Sequence, residues 1–275
     1  MLENKTCLGI DISDKDIKIV ELRKLHGKYH IAQASRLLIG NNDVGSVLKQ
    51  FFLDTKTVSS RIVWSLPTQE CSVKFAQLPK TGRSEIAKMA RYEAESQIPL
   101  PLSDLVWGYS AEKPSKEDGL SHVVIAAVRK SIVQDITASL DAAEIKTQAA
   151  MVASLVEQKI VANDTGIQGE PYIIIDIGEE WTNLTTVSNS KVISCRSLRI
   201  GIEDLRSAIV ADLNVDSNEA DRMIYKQPLF IDSITSEDQM NMDTVLAWTE
   251  QLSSEIRRSA FTSPTEINAK SVKIA

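Results

Sequence analysis

The sequence predicts an α/β fold of two lobes, and three observations carry that prediction. A pattern of apolar strand, Asp, turn and second apolar strand occurs at Cys7–Val20 and again at Tyr172–Val187. Between the two, strand and helix patterns alternate as strand-helix-strand-strand-helix-strand, a compact block of about 70 residues. The chain has 275 residues, 43% hydrophobic and 25% charged, an ordinary globular composition with enough length for two cores.

The elements follow in order. Residues 7–12 and 17–23 read as strands joined by a polar turn. His26-Gly27 is a second turn signal, and a strand follows through Tyr29–Leu37, which makes a three-strand meander. Val44–Phe52 is a helix with Val44, Val47, Leu48 and Phe51 on one face. Arg61–Leu66 is a short strand stopped by Pro67. Ser84–Gln97 is a helix with Ser84 as its cap, and Ile86, Met89, Ala90 and Ala94 keep helical spacing. Ile98-Pro99-Leu100-Pro101-Leu102 ends it, because neither proline can supply a helical N–H. Leu105–Ala111 alternates as a strand, Lys113–Gly119 is a charged loop, and His122–Val128 is a buried strand. Ser131–Ala143 is a capped helix and Ile145–Met151 a strand. Pro171 opens the second lobe. After its hairpin come a strand at Val192–Ile200 and helices at Gly201–Leu213, Asn218–Lys226 and Val245–Ser259. Ser271–Ala275 turns apolar again and reads as the start of a strand.

Bulk properties narrow the function. A net charge of −6 argues against a general nucleic-acid role. Met1–Lys5 lacks the basic-then-apolar pattern of a signal peptide, and no uncharged apolar run reaches the ~18 residues that span a bilayer. Cys7, Cys71 and Cys195 are few, odd in number and far apart, which fits reduced thiols of the cytosol and small buried side chains.

Four stretches carry a family resemblance. Leu8-Gly9-Ile10-Asp11 through Val20-Glu21-Leu22 is the first; Tyr92-Glu93-Ala94-Glu95 with Ile98–Leu102 is the second. Ala126-Ala127-Val128-Arg129-Lys130 is the third; Asp176-Ile177-Gly178 with Thr182-Asn183-Leu184 and Arg199-Ile200-Gly201 is the fourth. Together they resemble the PilM family, actin-like cytoplasmic proteins of type IV pilus assembly, and more distantly FtsA, the division protein. The likeness covers essentially the whole chain. It implies an α/β, actin-like (ribonuclease H-like) two-lobe fold with an FtsA/PilM-type insert subdomain in the first lobe. On this plan residues 1–78 and 147–168 form the first-lobe core and 79–146 the insert. Residues 169–213 form the second-lobe core, 214–262 its helical subdomain, and 263–275 a tail or the start of a strand.

In such a fold each lobe presents a tight hairpin turn whose backbone N–H groups cradle phosphate. Asp at the strand ends can hold hydrated Mg²⁺, and Lys can neutralise phosphate. The resemblance places a vestigial nucleotide site at Asp11, Ser13, Lys18, Asp176, Gly178, Thr182 and Asn183. Both turns depart from the family pattern. Ser13 stands at the glycine position and Asp14-Lys15-Asp16 follows; Glu179, Glu180 and Trp181 stand where small residues belong. A carboxylate ~4 Å from a phosphate oxygen repels it by about 1 kcal/mol in bulk water, and by more in a partly dry cleft. Alternatively these side chains point outward and have no effect. No Gly-Gly pair marks an adenine turn, so the second lobe reads as incomplete at its C-terminus. Two readings of that stand: a shortened chain, or a lost adenine site. No cofactor is expected, with ATP and Mg²⁺ entering only if the turns function.

Other constellations favour structural readings. His26 and His30 lie four apart, but in a hairpin with no third ligand nearby, so no metal site is expected. His122 begins a strand, and Ser154, Ser194 and Ser197 lack a nucleophile-elbow frame. Glu93 and Glu95 read as a solvated helix face. No catalytic residue is expected.

By resemblance, the chain would bind the N-terminal cytoplasmic peptide of a PilN-like inner-membrane protein, with the pilus motor ATPases as further candidate partners. Ile98, Leu100 and Leu102, held on a stiff proline-spaced segment, would form one wall of the peptide groove; the alternative is a loop that tucks these side chains back onto the insert itself. The protein would then sit in the cytoplasm, peripheral to the inner membrane through its partner, with no direct membrane insertion and no nucleic acid. Two alternatives differ in class: an active, filament-forming ATP-binding protein of the FtsA kind, or a small-molecule kinase of the same fold.

Overall fold

The computed structural model describes residues 6–13, 15–55, 61–112, 119–164, 171–226, 236–261 and 273–274. The chain divides into two compact units, Met1–Val156 and Glu157–Ala275.

The first unit is built on a five-stranded sheet. β1 (Thr6–Ile12), β2 (Asp16–Leu25) and β3 (Lys28–Leu38) form an antiparallel meander. His26 (φ 50°) and Gly27 (φ 82°) both take positive φ at the β2–β3 turn, the backbone twist that suits a two-residue hairpin. β4 (Ile62–Leu66) adds parallel to β1, and β8 (Ala149–Val152) parallel to β4, giving the order β3-β2-β1-β4-β8. Alternation along β1 and β2 turns Leu8, Ile10, Ile17 and Ile19 into a core shared with Trp64, Leu48 and Leu140. Leu48 comes from α1 (Val44–Thr55) and Leu140 from α3 (Lys130–Ala142). These two helices approach closely at Gly45, where a Cβ would meet the Ser139 carbonyl oxygen at 2.9 Å.

The insert has its own sheet, ordered β5-β7-β6 and antiparallel throughout. Its strands are β5 (Cys71–Pro79), β6 (Leu105–Ala111) and β7 (Leu120–Arg129). α2 (Arg83–Gln97) lies against it through Ile86, Ala90 and Ala94, and the two alanines, fully buried, let helix and sheet come close. By sheet membership the insert spans 71–129 and not the expected 79–146. α3 packs into the five-stranded sheet's core and β8 joins that sheet, so both belong to the first-lobe core. The helix starts also differ from expectation. Gly82 and Arg129 occupy the N-cap positions of α2 and α3, and neither helix has a side-chain cap.

α4 (Ala153–Asp164) crosses the division between the units. The second unit repeats the first unit's opening topology. β9 (Tyr172–Ile177), β10 (Thr182–Ser188) and β11 (Lys191–Leu198) form a meander closed by Asn189 (φ 51°) and Ser190 (φ 60°). β12 (Lys273–Ile274) adds parallel to β9, so the order β11-β10-β9-β12 matches β3-β2-β1-β4. α5 (Ile202–Leu213), α6 (Ser217–Lys226) and α7 (Ser236–Phe261) complete the unit. α7 starts nine residues earlier than the periodicity suggested, at Ser236 in place of Val245. Leu205, Ile209, Ala220 and Val245 join the three helices in one apolar cluster. Asn214, in the left-handed region (φ 52°), ends α5.

Candidate functional site

Each unit carries one of the two expected phosphate turns. In the first, Asp11 ends β1 opposite Lys18 of β2, with Lys18 Nζ 3.8 Å from the carboxylate. Ser65 of β4 donates its hydroxyl to the same carboxylate. Asp11 and Lys18 are both about half exposed, so charge remains at the mouth of this hairpin.

Ser13 serves the turn itself. Its N–H donates to the Asp16 carbonyl at 2.9 Å, and its hydroxyl donates to Asp16 Oδ1 at 2.7 Å. The Asp16 N–H returns a bond to the Ser13 hydroxyl at 3.1 Å. Asp16 is buried, and Arg36 of β3 binds its second carboxylate oxygen. Burial pushes the Asp16 carboxyl upward, but the Ser13 hydroxyl and the Arg36 guanidinium more than offset this and hold it below its ordinary value. The expectation that Asp16 crowds the phosphate turn is corrected: its charge is spent inside the hairpin. Asp14 lies outside the described residues.

The second turn is closed from within. The Gly178 N–H donates to the Trp181 carbonyl at 2.9 Å. A Cβ at Gly178 would lie 2.9 Å from that oxygen, which is why glycine fits here. The first amides of α5 then turn back on the loop. The Ile202 N–H donates to the Gly178 carbonyl at 3.0 Å, and the Glu203 N–H to the Glu179 carbonyl at 2.8 Å. Helix N-terminal amides are the donors that an anion would otherwise claim. Gly201 permits the approach, since a Cβ there would fall 2.2 Å from the Glu179 oxygen. Its N–H donates to Asp204 at 2.7 Å, and its carbonyl accepts from the Trp248 indole of α7 at 3.1 Å.

Arg206 of α5 secures this arrangement. It is buried, and it donates to Glu179 of the turn, to Glu203 of its own helix and, at 2.6 Å, to Asp221 of α6. Glu179 therefore faces a cation inside the unit. Glu180 is exposed, and Trp181 is half-buried.

The remaining expected residues form a hydrogen-bonded line across the second sheet. Ser197 of β11 donates to the Asn183 amide oxygen at 2.7 Å, and the Asn183 amide donates to Asp176 of β9 at 3.2 Å. Thr182 points inward, fully buried, and donates to the Ile200 carbonyl at 2.6 Å. Asp176 is exposed at the end of β9.

The three residues expected to line a peptide wall differ in exposure. Ile98 is buried in the insert's core with Ile86, Ala94 and Leu105, and Leu102 is half-buried against the same cluster. Only Leu100 is exposed. The reason is local: the Ile98 N–H still bonds to the Ala94 carbonyl, so Ile98 completes α2 and shares its buried face. Ile98 itself is extended (φ −102°, ψ 119°), as a residue before proline prefers, so the helix ends here although its last amide is still bonded. His122 is buried and stacks on Phe75 at 5.9 Å, and His26 and His30 are exposed on the β2–β3 hairpin.

Sequence reasoning missed Arg206 altogether. One signal was present: an arginine directly after Leu205 and three before Ile209, on a helix face otherwise apolar.

Residues 9–262 match the family model described as type IV pilus assembly protein PilM. The chain belongs to the PilM family. Its actin-like fold agrees. The structure is similar to that of a PilM-PilN type IV pilus biogenesis complex, at 21% identity and a TM-score of 0.73, over 92% of this chain and 76% of the other. It is also similar to the ethanolamine utilization protein EutJ from Carboxydothermus hydrogenoformans, at 12% identity and a TM-score of 0.54, over 96% of this chain and 74% of the other. Among the described residues of this PilM-family chain, no helix is long and apolar enough to cross a membrane.

Proposed function

We propose that this PilM-family chain is a scaffold of type IV pilus assembly that captures the N-terminal peptide of a PilN-like inner-membrane protein and does not turn over ATP. Family membership over residues 9–262 carries the pilus reading. The fold's similarity to a PilM-PilN complex supports the choice of partner. On this reading the protein works at the cytoplasmic face of the inner membrane, held there by its partner, and the pilus motor ATPases remain further candidates for contact. Leu100, exposed beside the insert's core, is the residue of the expected wall that still offers apolar surface.

The degenerate nucleotide site rests on the second turn. Its carbonyls occupy the first α5 amides, and Glu179 is held on Arg206, so a phosphate would have to displace both. Neither ATP nor Mg²⁺ is then needed for the scaffold role.

Capture of a tag-fused PilN-like N-terminal peptide by the purified chain tests the first part. No capture at peptide concentrations up to 100-fold above the protein would end the scaffold reading. Calorimetric titration with Mg-ATP tests the second part, and an affinity in the micromolar range would overturn it. That result would favour the other reading, an ATP-binding actin-like protein, for which the exposed or half-exposed Asp11, Lys18 and Asp176 are the supporting observation.

A further inference from the structure

The β2–β3 hairpin ends in a tip unlike the rest of the surface. Ten consecutive residues, 23–32, are exposed, although all but the His26-Gly27 turn and Ala32 are paired in the β2–β3 ladder. The described pairing of β1 with β2 stops at Thr6–Arg23, whereas β2 and β3 continue to Leu25–Lys28 and close at the His26-Gly27 turn. Strand alternation puts Lys24, Tyr29 and Ile31 on one side and Arg23, Leu25, Lys28 and His30 on the other. Leu25 is 43% exposed, Tyr29 57% and Ile31 69%, values that leave these side chains outside any core. Lys24 lies over the Tyr29 ring, 5.6 Å from its centre.

Charge separates this region from the rest. Residues 22–42 contain Arg23, Lys24, Lys28 and Arg36 and no Asp or Glu, in a chain whose net charge is −6. Arg23 and Arg36 are engaged by Glu21 and Asp16, which leaves Lys24 and Lys28 as the cations displayed at the tip itself.

Apolar and cationic groups on one rigid protrusion suit three occupants. A strand added to the edge of β3 is disfavoured, because the bulge between Glu21 and Leu22 interrupts the ladder and Lys28 and Arg36 flank the edge. A symmetric tip-to-tip contact with a second copy is disfavoured, because the same cations would meet across the interface. A bilayer surface of anionic headgroups accepts both features: phosphates match the lysines, and the headgroup–acyl boundary takes Tyr, Leu and Ile. We propose that the tip of the β2–β3 hairpin rests on an anionic lipid surface through Lys24, Lys28, Leu25, Tyr29 and Ile31. One hairpin makes a weak, reversible contact, which orients the protein and does not anchor it. The proposal is independent of the peptide reading.

The experiment is co-sedimentation of the full chain with vesicles, without any peptide. Vesicles of equal phosphatidylglycerol and phosphatidylcholine are compared with vesicles of phosphatidylcholine alone, at low salt. The partition coefficient should be at least tenfold higher on the anionic vesicles. It should fall at least tenfold for the K24E/K28E pair and for the Y29S/I31S pair, whose melting temperatures should stay within a few degrees of the parent. A Tyr29→Trp reporter should shift its emission to the blue on anionic vesicles only. Equal partition on both vesicle types, or undiminished binding by both double variants, would overturn the proposal. Binding to poly-glutamate with the same variant sensitivity, together with no binding to vesicles, would assign the tip to an acidic protein and reject the membrane.

Discussion

Arg206 holds Glu179: a guanidinium on α5 binds the carboxylate of the turn that the sequence suggested would repel phosphate. The bond changes the meaning of the glutamate. An acidic residue in a phosphate turn acts by repulsion only if its charge faces the ligand. Here it is neutralised within its own unit, and the turn's carbonyls lie on the α5 amides.

Removing Arg206 should destabilise the second unit. Arg206→Ala removes the cation that Glu179, Glu203 and Asp221 share. Breaking a fully buried pair costs 3–5 kcal/mol, and the partial exposure of the three carboxylates lowers the expected loss to about 2 kcal/mol. Thermal melting should show a fall of several degrees. Arg206→Lys should recover part of it, since lysine restores charge without the three-way fork. A melting temperature unchanged by Arg206→Ala would show that the arginine does not hold the turn.

Gly201→Ala should cost about 1–3 kcal/mol, the usual range for overpacking, because the added Cβ meets backbone that cannot rotate away. The contact falls on the Glu179 carbonyl, so the same change should raise hydrogen exchange at the Ile202 and Glu203 amides first. Uniform exchange across the second unit would mean that the turn and α5 are not locked at this point.

The hairpins and their order were legible because each element carries a local signal. Alternation gave β1, β2, β9 and β10, and His26-Gly27 marked its turn without any partner in view. The insert's limits were less legible, because α3 and β8 show the same local pattern whichever sheet they join; packing of Leu140 into the five-stranded sheet's core decides. For Ile98 the prolines left two readings open, a groove wall or a side chain tucked onto the insert, and only its packing with Ile86, Ala94 and Leu105 decides for the second. Arg206 was missed because its role exists only once the 178–181 turn, α5 and α6 meet.

Acid should act through Asp16. Its folded carboxyl is held below the ordinary value near 3.8, so its ion pair stabilises fully above that value. As pH falls below it, the unfolded chain takes up a proton that the folded chain refuses, and this contribution is lost as the folded value is passed. Asp16→Asn should therefore be less stable than the parent at pH 7, and the gap should shrink by pH 3.5. Urea unfolding at the two pH values reads this directly, and a gap that widens in acid would refute it.

Cys71 should resist thiol reagents. Burial, with a smaller push from Glu70, raises its thiol to about 12, so at pH 8 only about one in ten thousand is thiolate. Labelling with a disulfide reagent at pH 8 should be slower than in urea by roughly a thousandfold. Comparable rates in both states, followed by mass spectrometry of the Cys71 peptide, would show that this part of β5 opens readily.

Two neighbouring apolar positions allow folding and the proposed peptide capture to be tested apart. Ile98 and Leu100 lie two residues apart, one inside the insert's core and one in solvent. Ile98→Asp puts a carboxylate among the apolar side chains of Ile86, Ala94 and Leu105, and should unfold the insert or cost it more than about 3 kcal/mol. Leu100→Asp leaves that core intact and should melt within a few degrees of the parent. If Leu100 forms part of the PilN-like peptide's binding wall, the same change should weaken capture at least tenfold, about 1.4 kcal/mol, because the charge would be desolvated on binding. Pull-down and melting on both variants distinguish the cases. A Leu100→Asp chain that folds and captures peptide undiminished would place the groove elsewhere, with the half-buried Val73, Phe75 and Val124 of the insert sheet as the next apolar residues to alter.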